Sequence, residues 1–207
     1  MDEKDKQLIN ERYNQRFGNY GADIKTLASG NIEKQKIRFN VITQVGITNN
    51  STVLDIGCGF ADYYDYLKQE GIQIQYTGYD INSNFIKICR KRYPEASFEI
   101  TDIQNMTLTN KYDYVISSQV FNNKLVKDDN EEIIRDVIKK SYEICTKGVA
   151  IDMLTRYVDF MKDRLYYYSP EEIFKFCKTL TKRVVLRHDY PLYEFMIYLY
   201  KDFKGWA

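Results

Sequence analysis

The spacing of apolar residues along the chain changes near residue 50. Downstream, short runs rich in Val, Ile, Leu and Tyr alternate with stretches whose apolar positions recur every three or four residues. Such alternation predicts strands joined by crossover helices, hence a parallel sheet covered on both faces. Strands are expected at 52–56, 75–80, 97–100, 112–117 and 149–153. Helices are expected at 62–70, stopped by Gly71, and from about 83 to Pro94, with Asn82 or Ser83 as N-cap. A third helix begins in the acidic stretch 128–132 and places Ile134, Val137, Ile138, Tyr142 and Cys145 on one packing face. A fourth opens at Ser169, where a hydroxyl at the N-cap, Pro170 at the first helical position and Glu172 at the third form a capping box. The last β-rich runs, 183–186 and 193–200, are separated by HDYPL at 188–192. That link is too short for a crossover helix, so the two strands must be antiparallel. Ahead of the sheet, polar helical stretches around 12–16 and over 37–45 read as a helical cap (1–46) on a core spanning 50–200, all within one domain, 1–207.

Length and composition narrow the class. At 207 residues the chain suits one domain. Lys plus Arg number 30 and Asp plus Glu 29, giving a net charge of +1 and no overall field for a polyanion, so nucleic acid is not the expected partner. The four cysteines stand far apart and the chain has one histidine, which supports neither a disulfide framework nor a metal site. The start of the chain is charged, and no apolar run approaches the roughly 18 residues that span a bilayer. A cytoplasmic protein without membrane association is expected.

In a doubly wound sheet, ligands bind beyond the carboxyl ends of the strands, and the unusual residues collect there. The first strand runs into Gly57 and Gly59, which let the backbone turn sharply and approach a ligand closely. Asp80 ends the second strand, where a carboxylate accepts both hydroxyl hydrogens of a ribose. Asp102 ends the third and is placed to accept from an adenine amino group. Asp62 stands where nicotinamide-binding enzymes carry a third glycine, and its charge would repel a pyrophosphate. A cofactor without pyrophosphate fits better.

The motifs VLDIGCG at 53–59, YTGYDI at 76–81, FEITDI at 98–103 and YDYVISS at 112–118, with the closing antiparallel pair, resemble the class I S-adenosylmethionine-dependent methyltransferases over residues 50–200. The resemblance implies a Rossmann-like α/β fold: a seven-stranded mixed sheet, order 3-2-1-4-5-7-6, with strand 7 antiparallel and helices on both faces. It further implies that Asp55, Gly57 and Gly59 hold the methionine portion of the cofactor, Asp80 and Ile81 the ribose side, and Asp102 with Ile103 the adenine. Ser118 and Gln119 would line the wall by the sulfonium. Ala61 replaces the third glycine frequent in that family.

Methyl transfer is an in-line displacement in which the protein aligns the acceptor, with a base needed where the acceptor is an alcohol. His188 is a candidate general base or acceptor hydrogen-bond partner, the bland alternative being a turn histidine bonded to backbone. Tyr13 and Arg16 complete the catalytic candidates. Arg12 and Arg16 lie one helical turn apart with Tyr20 nearby, which suits an anionic acceptor. Asn122, Lys124, Tyr168 and Arg187 are further substrate-binding candidates. The closing segment RVVLRHDYPLYEF at 183–195 is similar to that of bacterial methyltransferases of mostly undefined substrate, some acting in surface-polysaccharide or secondary-metabolite pathways. The expected partner is therefore a small-molecule acceptor: a sugar, a phosphoramidate or a phosphorylated metabolite. An RNA-modifying enzyme and a non-catalytic cofactor-binding domain are the alternatives.

Overall fold

A computed structural model describes residues 1–28, 30–102, 104, 110–127 and 129–201. Its strands are β1 (Thr52–Ile56), β2 (Gln75–Asp80), β3 (Ser97–Ile100), β4 (Tyr112–Ser117), β5 (Cys145–Leu154), β6 (Val184–Arg187) and β7 (Glu194–Tyr200). Among the described residues they form one sheet in the order β3-β2-β1-β4-β5-β7-β6. Neighbours from β3 to β5 run parallel, and β7 runs antiparallel to both β5 and β6. This is the expected Rossmann-like sheet. Its order reverses between β1 and β4, which opens a crevice at their carboxyl ends.

Helices α1 (Glu3–Tyr20), α2 (Ile24–Leu27) and α3 (Ile32–Thr43) precede the sheet, and α4 (Asp62–Gln69), α5 (Ser83–Arg92), α6 (Asn130–Ile144) and α7 (Pro170–Leu180) follow the strands. Side chains alternate across each strand, so the buried ones split into two cores. On one face Leu54, Val115 and Ile151 meet Ile134 and Ile138 of α6 and Ile173 of α7. On the other, Val53, Ile116 and Ala150 meet Phe39 and Ile42 of α3, Leu67 of α4 and Ile86 of α5. Many tyrosines belong to the second core; Tyr64 stacks on Tyr76 with ring centroids 4.7 Å apart. All four cysteines are buried thiols.

Local chemistry sets the boundaries. Asn82 caps α5 by accepting from the N–H groups of Asn84 and Phe85. Ser169 caps α7, accepting from Glu172 N at 3.4 Å, while its own hydroxyl donates to Glu171, so Glu171 takes part at this cap. Two expectations need correction. The fifth strand is twice its expected length, because α6 ends directly in extended Cys145, which pairs with Tyr112, and the register shifts over Thr146-Lys147 before Gly148 pairs with Tyr114. The N-terminal cap holds three helices; the short α2 is turned by Asp23, whose carboxylate accepts Lys25 N. No described helix is long and apolar enough to cross a membrane.

Candidate active site

The loop after β1 is built by a shared acceptor: Gly57 N and Cys58 N both donate to Tyr79 O, at 2.7 and 3.0 Å. Gly57 has φ +72, and a Cβ there would stand 2.2 Å from Val120 Cγ2 on the loop after β4. Gly59 (φ +56) donates its N–H to Asp80 Oδ2 at 3.0 Å, while Asn82 N donates to Asp80 Oδ1 at 2.8 Å. Asp80 is thus fixed by the glycine loop and by the turn before α5. Burial lifts it to about 6 against the opposing pull of these N–H donors. Asp55, 4% exposed, accepts from Tyr76 Oη at 2.6 Å; burial pushes it to about 7, with the Asp80 carboxylate adding to the rise. Ala61, the third-glycine position, takes the left-handed conformation (φ +60) as N-cap of α4 and gives that helix no side-chain cap. Its backbone cost is about 1 kcal/mol, and Asp62 and Asp65 in the first turn supply the negative charge that suits this helix N-terminus.

These residues line a cleft of about 1350 Å³, counting its open mouth. The roof is α1, which contributes Ile9, Asn10 and Tyr13. Polar contacts pin it to both rims. Asn14 Oδ1 accepts from the side-chain amides of Asn82 and Asn84, and Arg12 donates to Asn123 at 2.5 Å. Asp5 accepts from Val126 N at 2.9 Å, and Lys6 Nζ lies 3.2 Å from Asp102 Oδ2. Asp102 also accepts from Gln104 N at 3.0 Å. Inside the roof, Tyr13 meets Phe85 edge-on at 6.0 Å.

A methyltransferase-domain family model matches residues 47–182. Rv1506c of Mycobacterium tuberculosis, a methyltransferase by name with no acceptor in that name, is 32% identical over 72% of this chain and 93% of its own. The chain is a class I S-adenosylmethionine-dependent methyltransferase. Malonyl-[acyl-carrier protein] O-methyltransferase of Acetivibrio thermocellus is 26% identical over 56% of this chain and 40% of its own. Magnesium protoporphyrin IX methyltransferase from Synechocystis PCC 6803, solved with bound SAM, shares the fold with a TM-score of 0.66, at 18% identity and over 98% of each chain. The same enzyme has been solved with bound SAH. The cofactor of this methyltransferase is S-adenosylmethionine, which leaves as S-adenosylhomocysteine.

Of the residues expected on the cofactor side, Asp55, Gly57, Gly59, Asp80, Ile81, Asp102, Ser118 and Gln119 come together on the cleft. Ile103 lies outside the described residues. The acceptor-side candidates divide. Tyr13 and Tyr168 line the cleft, with Tyr168 Oη donating to Phe121 O at 2.8 Å. Arg12 and Lys124 border a second hollow beside it, together with Arg164, Asp5 and Asp163; the two hollows share Ile9, Asn123 and Leu125. Asn122 is buried and accepts from Leu154 N. Arg16 is drawn away because its guanidinium donates to the carbonyls of Lys25 and Thr26, holding α2, and Tyr20 is exposed beside it. Arg187 pairs with Asp189 and Gln44 at the sheet edge. His188 lies between the rings of Tyr157 and Phe195 and does not line the cleft.

The sequence reading missed a buried polar cluster behind the wall of the cleft. Arg38 of α3 donates to Glu194 at 2.7 and 3.0 Å, and Gln119 Nε2 bridges Glu194 and Asp152 at 2.6 and 3.2 Å. Arg38 lines the cleft and is the one cationic side chain among the described lining residues. Two signals were readable: Asp152 interrupts the apolar run VAIDML at 149–154, and Glu194 opens an otherwise buried strand.

Proposed function

We propose that this methyltransferase modifies an oxygen of a small acceptor of anionic or sugar-like character, including phosphorylated sugars. The observation that carries this reading is the hollow where Arg12, Lys124 and Arg164 outnumber the carboxylates of Asp5 and Asp163, and which adjoins the main cleft through Asn123. A guanidinium and neighbouring cations there suit a phosphate or carboxylate at one end of the acceptor, while its reactive end enters the cleft. On the cofactor side, Asp80 is assigned to the ribose hydroxyls, Asp102 to the adenine amino group, the loop of Gly57 and Gly59 to the methionyl end, and Ser118 with Gln119 to the wall by the methyl group. The near-neutral net charge supports a small acceptor over RNA. Incubation with methyl-labelled cofactor, offering total RNA and a small-metabolite pool side by side, tests this. Label is expected in the small-molecule fraction and to fall at least tenfold in Arg12→Ala; label confined to RNA would reject the proposal.

A further inference from the structure

The cluster behind the cleft wall holds two carboxylates around one guanidinium, and they share it unequally. Arg38 donates twice to Glu194, at 2.7 and 3.0 Å, and stands 3.5 Å from Asp152 Oδ2. The two oxygens of Asp152 have separate partners. Oδ1 accepts from Gln119 N at 2.6 Å and from its side-chain amide at 3.2 Å, which fixes the turn after β4 where Gln119 has φ +61. Oδ2 accepts the hydroxyl of Ser118 at 3.0 Å. Ser117 pairs with Ile56 across β1 and β4, so Ser118 stands beside Gly57 at the topological switch point, and it lines the cleft. Asp152 is 1% exposed and lies behind that wall, with Ser118 between it and the cleft.

We propose that Ser118 and Asp152 form a proton relay, and that the acceptor group is therefore a neutral hydroxyl rather than a carboxylate. This rests on the methyl-transfer reading above and narrows its acceptor. The acceptor hydroxyl gives its proton to Ser118 Oγ while Ser118 passes its own proton to Asp152 Oδ2. The acceptor oxygen bonds to the methyl carbon, and the carbon–sulfur bond breaks with its electron pair going to sulfur. An alcohol and a sulfonium thus give an ether, a thioether and one proton, which rests on Asp152. An ionised carboxylate acceptor would need no such base.

The surroundings of Asp152 suit the task. It faces Glu194 of β7, Arg38 of α3, Asp55 of β1 and Tyr190 of the link before β7. Burial and the Glu194 carboxylate raise it out of the ordinary carboxylate range, towards neutrality, where a general base is most effective. As a purely structural device, a buried charge cluster of this kind contributes little net stability.

Two readouts test the relay. In protein saturated with S-adenosylhomocysteine, the ¹³C carboxyl signal absent from Asp152→Asn should titrate above about pH 6, against about 4 for an ordinary aspartate. A signal titrating below about pH 5 overturns the relay. In the second readout, labelled methyl transfer to the small-molecule fraction of a bacterial extract should fall about 100-fold or more in Asp152→Asn. The fall should be at least tenfold in Ser118→Ala, with both variants assayed at saturating S-adenosylmethionine. Transfer at more than half the parental rate in both variants also overturns it. Label found on RNA instead rejects the small-acceptor reading, whatever Asp152 does.

Discussion

At Gly57 a missing side chain does two things at once: it permits φ +72, and it leaves room for Val120 where a Cβ would come within 2.2 Å. Gly57→Ala should lower the unfolding free energy by about 1–2 kcal/mol from the left-handed conformation alone. It should also weaken S-adenosylhomocysteine binding more than it weakens the fold, because Val120 must move in the cleft wall. Thermal unfolding with and without the product measures both effects, and an equal Tm loss in the two states would contradict the second. Asp80 gives a pH signature. Its carboxylate is the better acceptor for ribose hydroxyls when ionised, and burial raises it to about 6. Affinity for S-adenosylhomocysteine should therefore be flat above about pH 7 and fall by up to about tenfold per pH unit well below 6. Calorimetry across that range should show proton release on binding at the acid end.

The elements differ in how they are held. Helix α1 roofs the cleft through polar contacts to Asn82, Asn84, Asp102 and Asn123; more than half of its residues are exposed, and its apolar contacts come from half-buried Ile9, Tyr13 and Phe17. Such a helix opens at low cost. Its amides should exchange faster than those of α6 in the free protein and slow markedly when S-adenosylhomocysteine fills the cleft; unchanged exchange would show that α1 does not cover the bound product. At the other extreme, α7 is defined by its cap, and Ser169→Ala should cost about 1 kcal/mol in denaturant unfolding. The strands and helices around the cleft were legible in the sequence because their signals are local. A run such as TVLDI followed by two glycines, or Asn82 before an apolar stripe, needs no distant partner to be read. The polar cluster behind the cleft wall was not legible. Arg38 and Glu194 meet across 156 positions, and neither α3 nor β7 carries a mark of the other. Arg16 shows the converse: its helical spacing from Arg12 suggested a joint anion site, but the carbonyls of α2 claim it.

Over the whole molecule, Asp55 and Asp80 are carboxylates taken out of water at one crevice, and burial penalises their charged forms in the fold. Asp55 and Asp80 titrate higher folded than unfolded, at about 7 and about 6, so the folded state holds more protons in this window. The stability they contribute is present in full at and below about pH 4 and is lost as pH rises through 6 and 7. Ligand-free protein should unfold at lower denaturant at pH 8 than at pH 5, and Asp55→Asn should shrink that difference; an undiminished difference would place its origin elsewhere. The central claim is that this crevice grips an adenosyl group through the carboxylate ending β2. Isothermal titration of S-adenosylhomocysteine into the parent protein and Asp80→Ala tests it most directly. The expected result is one-site binding in the parent, weakened in Asp80→Ala by about 1.5–3 kcal/mol, which is tenfold or more. Equal affinity in the two proteins, or no heat in the parent, would contradict it.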